Sequence, residues 1–589
     1  MGLWQSLKRW LDPSSTAVDQ SFSLGNRGEK PASENQGTEM LADARLRTEN
    51  VIIRIDRLME AAPKGKEALE KTGDLSDDLE QNLKRLKELF RLPENKDLVI
   101  REFQVATQPP TPAAACFMEG LTNTGIINDH IMQPLMLLSH LDHHAGAAGE
   151  DGPSSFSPEM VLKRLLPGNQ STEKYDLASM ADALLSGDTV LLFAGSRVAI
   201  AVETKSPPTR SVGKPETERV IWGPHDAFTE AFRVNVALVR RRLKDPRVVT
   251  EVLTVGEISK TYVGLMYIDT IAHPKLVAEV KRRIEAIKVD IVNSSSILEQ
   301  YIEDNPNSLL PGSLLTERPD RTAAYLSEGH VAILTDTSPN AIICPITFWS
   351  LLQTSEDYYL RYPFGSVLRW IRLMATLIAL TLPALYIAVI NYHQEMLPTE
   401  LMLFIASTRE QVPMPAVAEL LVMDVVFELI REAGTRIPSV IGPTIGLVAS
   451  LVLGQAAVEA KIVSPIMILI VAITGLASFA IPNYLVGFGV RVMRFFLLAL
   501  STVLGFYGLA AGLFILLIML AAERSFGVPY LTPVAPARGK VRDILNRPPL
   551  YRMEERPGYT RTSNQQRQEE IVRKWDPMAP APTPDENGG

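Results

Sequence analysis

Three carboxylates recur at four-residue intervals in an otherwise apolar stretch of the C-terminal half. They are Asp424, Glu428 and Glu432, within the sequence AELLVMDVVFELIREAGTRIP. On an α-helix, steps of four residues place side chains on one slowly winding ridge. An ionised carboxylate that faces lipid at mid-depth costs roughly 3 kcal/mol or more. The ridge must therefore face water or protein.

The acidic ridge has two interpretations. In the first, its segment lies flat at a membrane interface or packs on other helices, its carboxylates stay in water, and Arg431 partly neutralises Glu428. In the second, Asp424, Glu428 and Glu432 form a candidate ion path, because carboxylates that line a water-filled route attract cations. The spacing alone fits both.

A second charged cluster occupies the sequence TERPDR. It comprises Glu317, Arg318, Asp320 and Arg321. An enzyme would use such carboxylates as general acid and base. The alternative, which we favour, is a charged turn whose arginine–carboxylate pairs join two subdomains or two subunits.

The motifs of several enzyme classes are missing from the sequence. We find no phosphate-binding GxxxxGK[ST] loop, no GxSxG nucleophile elbow and no HExxH zinc motif. The two cysteines, Cys116 and Cys344, form neither a disulfide framework nor a zinc set. We therefore expect no enzyme activity, no cofactor and no resident metal.

Four apolar blocks surround the ridge or follow it. Residues 373–392, 437–458, 462–490 and 495–522 contain no acidic or basic side chain. A hydrocarbon core about 30 Å thick needs roughly 20 helical residues, so each block predicts a membrane span. The second block also carries Gly442, Gly446 and Ser450 four residues apart, a small-residue face for close helix packing.

Basic residues constrain the orientation of these spans. Arg361, Arg369 and Arg372 precede the first block, and the positive-inside rule keeps the region before them in the cytoplasm. The basic residues that follow the last block also favour the cytoplasm, which requires an even number of crossings. Arg491 and Arg494 fit the inside better if the acidic segment is itself a span, so the charge pattern leaves the count open.

The N-terminal 360 residues or so alternate strand-like and helix-like patterns, which predicts mixed α/β structure. Net charge is −8, so nothing indicates a general nucleic-acid binder. No internal repeat is visible.

The predicted fold class is an α+β multi-domain membrane protein, in which two mixed α/β subdomains in the cytoplasm precede an all-α transmembrane domain. Its predicted units are a disordered tail (1–39), a helical extension (40–95), two α/β subdomains (96–210 and 211–362), a transmembrane domain with four spans and an amphipathic or re-entrant segment (363–525, the segment being 414–433), and a polar C-terminal tail (526–589).

Several long strings resemble the GerA family of spore germination proteins, specifically the A subunit of a nutrient germinant receptor. They are RVIWGPHDAFTEAFRVNVALVRRRLKDP, LLTERPDRTAAYLSEGHVAILTDTSPNAIICPITF and LIREAGTRIPSVIGPTIGLVASLVLGQAAVEAKIVSP. The resemblance implies a location in the inner membrane of bacterial endospores, with the N-terminal domain on the core side. It also implies a permease-like B subunit and a lipoprotein C subunit as partners.

In function, the resemblance implies a subunit that helps to sense nutrient germinants and to trigger cation release. It further implies a homo-oligomer that forms the ion-conducting part of the receptor. Two alternatives stay open. One is an accessory paralogue of the same family that acts outside the nutrient receptor, and the other is a secondary transporter.

Overall fold

The computed structural model describes residues 73–106, 110–137, 161–162, 166, 171–205, 213–436, 454–537 and 543–568. The predicted N-terminal tail, most of the predicted helical extension, and the small-residue face at Gly442, Gly446 and Ser450 lie outside these residues.

The first α/β subdomain is a five-stranded antiparallel sheet with helices beside it. Helix α1 (Leu79–Leu89) begins at Asp78, whose side chain accepts a hydrogen bond from the Glu80 amide. Its apolar side chains Leu83 and Leu86 are buried against the sheet. The strands are β1 (Leu98–Val105), β2 (Thr111–Met118), β3 (Ser171–Lys174), β4 (Asp188–Phe193) and β5 (Ala199–Glu203), in the order β1-β2-β4-β5-β3, with α2 (Leu177–Leu185) between β3 and β4.

The second subdomain repeats this topology. Helix α3 (Phe232–Arg240) precedes the sheet, whose order is β6-β7-β9-β10-β8. The elements are β6 (Val248–Val255), β7 (Thr261–Ile268), α4 (Pro274–Glu285), α5 (Ser295–Ile302), β8 (Leu314–Thr316), α6 (Pro319–Ser327), β9 (Val331–Thr335) and β10 (Ala341–Cys344). In both sheets a hairpin is followed by a crossover to the far edge, a helix and a second hairpin. The N-terminal region therefore contains two copies of one fold, although the sequence shows no repeat.

A buried ion pair joins the two subdomains. Arg240, at the end of α3, donates from Nε to Asp97 Oδ2 at 2.5 Å, and both side chains are about 1% exposed. The same guanidinium donates to the Val248 carbonyl oxygen at 2.8 Å. Arg240 thus connects the start of β1 to the start of β6.

The C-terminal half is helical. Two short helices, α7 (Phe348–Leu352) and α8 (Glu356–Tyr359), lead into α9 (Tyr362–Tyr392). They are followed by α10 (Thr399–Glu410), α11 (Ala416–Arg436), α12 (Pro465–Phe479) and α13 (Tyr484–Ala522). Among the described residues, α9 and α13 are long and apolar enough to cross a membrane, and α12 is a shorter apolar helix.

Helix α13 is a hairpin of two arms. Gly505 leaves the helical conformation, with φ of 60° and ψ of −135°. Gly512 packs directly against Leu497, whereas an unbroken helix would separate these residues by about 22 Å. The prediction of one span for 495–522 and another for 462–490 is therefore wrong in its boundaries. The block 462–490 is split between α12 and the first arm of α13. The block 495–522 contains Gly505, where the chain reverses.

The tip of this hairpin lies far from the α/β subdomains. Tyr392, at the end of α9, donates a hydrogen bond to the Thr502 carbonyl oxygen at 2.7 Å, beside the tip. The other ends of both arms reach the second subdomain, because Gly489 packs on the Leu309 carbonyl and Asn305 donates to Glu523 at 3.4 Å. The helical region consequently begins and ends on the α/β side.

Helices α11 and α12 run from the remote end back towards the α/β subdomains. Leu420 and Met467, near the starts of the two helices, share a buried cluster with Ile390 near the end of α9. Ala477, near the end of α12, packs instead with Ala375 in the first half of α9. The predicted acidic segment 414–433 is thus a full helix antiparallel to α9.

Part of the predicted polar tail is packed structure. Residues 524–529 form a two-stranded hairpin, β11 (Arg524–Ser525) and β12 (Val528–Pro529), and Tyr530 is fully buried. Residues 543–568 lie on α6, α8 and α9. Composition predicted a tail here because these residues are polar, but their polar groups bond to the protein.

Candidate functional site

The acidic ridge faces α13 and meets arginines there. Asp424 is buried, and its Oδ2 lies 3.4 Å from Arg494 Nη2. The two side chains are 2% and 3% exposed. The first carboxylate of the ridge is therefore matched by a guanidinium from a helix seventy residues away in sequence.

The next carboxylate, Glu428, lies between two arginines. Its Oε1 is 2.8 Å from Arg431 Nη2 on the same helix and 3.3 Å from Arg491 Nε on α13. The contact with Arg431 is the one expected from the sequence. Glu432, one turn further on, is exposed.

Aromatic rings surround the same arginines. The Arg431 guanidinium lies 5.4 Å from the Phe427 ring and 5.8 Å from that of Phe479 on α12. Arg491 lies 5.1 Å from the ring of Phe488. Cation–π contacts of this kind hold a guanidinium where little water reaches it.

The Asp424–Arg494 pair is imperfect. Within the described part of the chain, Asp424 Oδ2 and Arg494 Nε and Nη2 are buried atoms without a hydrogen-bond partner. A buried ion pair of this kind fixes the relative position of α11 and α13 more than it adds stability. If α11 moved away from α13, the carboxylates of Asp424 and Glu428 would lose Arg494 and Arg491 as partners and become available to cations.

A further buried acid was missed by the sequence reasoning. Glu419 is 0% exposed and accepts hydrogen bonds from the Ser464 amide and hydroxyl, both at 2.5 Å. Ser464 precedes α12, so the carboxylate stabilises the positive N-terminal end of that helix. Glu419 stands five residues before Asp424 and falls off the ridge, and the serine–proline start of α12 was its only sequence signal.

The charged turn at 317–321 works differently from the prediction. Its partners lie in the segment 216–224 and in the residues around α7 and α8, all inside the second subdomain. Glu317 accepts from the Glu216 amide at 2.7 Å, and buried Arg318 pairs with Asp320 at 2.8 Å and donates to the Pro224 carbonyl oxygen at 2.9 Å. Arg321 pairs with Glu218.

Within one chain this turn does not join the two subdomains, and Asp97–Arg240 performs that role. The alternative, that the turn joins two subunits, stays a prediction. The sequence could not separate the two cases, because any nearby backbone carbonyl can accept from an arginine. In the described residues, no three His, Cys, Asp or Glu side chains are placed to hold a metal ion.

Comparisons with known proteins place these features in a wider group. Residues 84–559 match the family model described as Bacillus/Clostridium GerA spore germination protein. The chain is 39% identical over 496 residues to the uncharacterized membrane protein YfkQ of Bacillus subtilis strain 168, which covers 83% of this chain and 93% of that protein.

Two further relatives are named for spore germination. Spore germination protein KA of Bacillus subtilis is 37% identical over 79% of this chain and 83% of its own length, and spore germination protein GerLA of Bacillus cereus is 36% identical over 83% and 97%. Among solved structures, the N-terminal domain of the A subunit of the Bacillus megaterium spore germinant receptor GerK3 is 29% identical, covers 47% of this chain and 98% of that one, and has a TM-score of 0.35.

Proposed function

The chain belongs to the GerA family of spore germination proteins, and from this premise we propose that it is a membrane subunit of a germinant receptor. It helps to sense nutrient germinants and to trigger cation release, and its oligomer forms the ion-conducting part. The observation that carries the proposal is the family match over 84–559, which includes both the α/β subdomains and the helices with the acidic ridge.

In this proposal the helical region crosses the inner membrane of the endospore, with the α/β subdomains on the core side. Its two ends both lie on the α/β side, which supports an even number of crossings. Arg369, Arg372, Arg491 and Arg494 lie in the parts of α9 and α13 nearer to those subdomains, as the positive-inside rule requires. Counting the predicted span 437–458 together with α9, α11, α12 and the two arms of α13 gives six crossings, so the basic residues before α9 and after α13 fall on one side.

The paired ridge corresponds to a non-conducting arrangement. Asp424 and Glu428 lie beside arginines, so they attract cations weakly in this conformation. Opening would separate α11 from α13 and expose Asp424 and Glu428 beside the already exposed Glu432. The candidate ion path then becomes more negatively charged when the subunit is activated.

Potassium release from germinating spores tests the role of the ridge. Spores that carry Asp424→Asn or Glu428→Gln should release K⁺ abnormally, because each change removes a negative charge from the path. Asp424→Asn also removes the partner of Arg494, and Glu428→Gln removes a partner of both Arg431 and Arg491. Glu400→Gln, an exposed acid on α10, is the matched control. Unchanged release with normal protein levels would remove the ridge from the mechanism.

A permease-like B subunit and a lipoprotein C subunit are the proposed partners. Adjacent reading frames that encode both, and co-purification of their products with this chain, would support a receptor complex. We propose no catalytic role, and turnover of nucleotides or esters by the purified protein would contradict that.

A second candidate is an accessory paralogue that acts outside the nutrient receptor. It is favoured by the match to YfkQ, a membrane protein that carries no germination name and is as similar to this chain as the germination proteins are. Loss of the gene would then leave nutrient-triggered germination intact. Solute uptake by proteoliposomes that contain this chain alone would instead support a secondary transporter.

A further inference from the structure

Residues 543–568, here called the strap, lie across the junction between the second α/β subdomain and α9. Polar contacts at three places attach the strap. Two of these places involve the first turns of α9 or the helix before it, and the third involves the end of α6.

The first anchor is a buried charge network. Asp543 pairs with Arg369 of α9 and accepts a hydrogen bond from the Tyr358 hydroxyl at 2.5 Å. Arg369 also lies 3.2 Å from Asp357 of α8, which Arg372 approaches to 2.8 Å. The side chains of Arg369 and Asp357 are 0% exposed. One carboxylate of the strap therefore completes the charge balance of a membrane-proximal network.

The second anchor is Arg547, which is 4% exposed. Its guanidinium donates to the carbonyl oxygens of Asp357, of Leu360 at 2.9 Å and of Tyr358 at 3.2 Å. These carbonyls belong to the end of α8, which has no following helical turn to bond them. The arginine thus fixes the connection between α8 and α9.

The third anchor grips the end of α6. Arg556 donates to the Ser327 carbonyl oxygen at 2.7 Å, and Arg567 lies 3.1 Å from Glu328 Oε1. Burial raises the pKa of Glu328 to about 7, against the opposing effect of Arg567. The Thr560 hydroxyl donates to the Glu328 carbonyl oxygen at 3.1 Å.

A cavity of about 390 Å³ lies between these anchors. Tyr325 and Trp349 line it from the subdomain, and Tyr559 and Arg556 line it from the strap. Protein interiors are normally close-packed, and a cavity of this size means that the strap and the subdomain do not pack closely there. The polar contacts around the cavity, rather than a continuous apolar core, therefore hold the strap. Buried ion pairs of this kind fix geometry more than they add stability.

We propose that the strap is a regulatory clamp that holds the first turns of α9 on the second α/β subdomain, and that its release favours the conducting arrangement. The inference rests on the proposed function. Its physical basis is that Asp543 and Arg547 tie α9 to α8 at the end of α9 nearest the α/β subdomains. When the contacts of Asp543 and Arg547 break, α9 is able to adopt other positions relative to α8. The closed packing of the helices is then less populated.

Asp543→Asn in the full chain tests the clamp. Hydrogen exchange of residues 543–568 in membranes should increase, because the variant leaves Arg369 with one carboxylate fewer. Spores that carry it should lose K⁺ without germinant roughly tenfold faster, within the range of measured coupling between sites. Asp543→Glu keeps the charge, so its hydrogen exchange and K⁺ release should stay close to those of the wild type. Glu555→Gln changes an exposed acid of the strap and should behave as wild type.

Arg567→Gln is a second test, because it loosens the strap at α6 without touching α9. It should raise exchange in the strap and increase unstimulated release by a smaller factor. Faster exchange with unchanged K⁺ release in both variants would overturn the clamp, and so would protection of the strap that survives Asp543→Asn. If deletion of the whole gene left germination and K⁺ release unchanged, the proposed function itself would fail.

Discussion

Arg494→Gln is the sharpest test of the paired ridge. The Arg494 and Asp424 side chains are 3% and 2% exposed, and their charged atoms are 3.4 Å apart. Loss of the guanidinium leaves a carboxylate in a nearly dry site without a counter-charge. Breaking a buried pair in this way costs about 3–5 kcal/mol, and the neighbouring Arg491 is already engaged with Glu428.

This cost falls mainly on the arrangement in which Asp424 is buried. An open arrangement that wets the carboxylate escapes most of it, so the balance shifts towards opening. A difference of 3 kcal/mol corresponds to roughly 150-fold in population. Unstimulated cation release should therefore rise by one to two orders of magnitude.

The measurement is K⁺ efflux from purified spores without germinant, with protein levels checked by immunoblot. The double variant Asp424→Asn with Arg494→Gln removes both charges and should return release towards the wild-type rate. Arg409→Gln, a partly exposed arginine of α10, controls for loss of any positive charge. Wild-type release by Arg494→Gln, or a double variant as leaky as the single, would refute the reasoning.

Three further changes act on the described structure and are measured by thermal unfolding of the purified chain in detergent. Arg240→Met leaves Asp97 buried and unpaired, so it should lower the free energy of unfolding by about 3–5 kcal/mol. Adding Asp97→Asn should recover part of this loss. If the effects of the two single variants simply added in the double variant, the two side chains would not be interacting. Gly505→Ala places a side chain at φ 60° and 3.0 Å from the Tyr392 ring, which should cost about 1–3 kcal/mol, and an unchanged midpoint would argue against the hairpin. Burial raises the pKa of Glu299 to about 8, above its unfolded value near 4.5, so the folded protein holds a proton that the unfolded chain has lost between these pH values. The free energy of unfolding should therefore fall by roughly 1.4 kcal/mol for each pH unit as pH rises from about 4.5 to 8. Glu299→Gln should flatten this pH profile, and an unaltered slope in the variant would show that Glu299 does not cause it.

Features that depend on neighbouring residues could be predicted from the sequence. The apolar block at 373–392 lies within α9, and alternating strand and helix patterns gave the α/β character of the N-terminal region. The contact between Glu428 and Arg431 also followed from spacing, because residues three apart on a helix share a face. The family resemblance rested on long strings and is confirmed by the family match.

The duplicated sheet topology could not be predicted in this way. Strand order depends on which edges meet, and very different sequences satisfy the same hydrogen-bond ladder. The hairpin at Gly505 was hidden for a related reason. A glycine within an apolar block is compatible with a continuous helix, and only the packing of Leu497 against Gly512 shows that the chain reverses.

Sequence by itself determined which segments are apolar, which are α/β, and where charges interrupt them, since these properties belong to short stretches of chain. Only the tertiary structure decided which charges are partners. Asp424 meets Arg494, Asp97 meets Arg240, and Asp543 meets Arg369 across 174 residues. A carboxylate can pair with any arginine that comes near it, and its neighbour is selected by how distant helices and sheets pack, which no local pattern records.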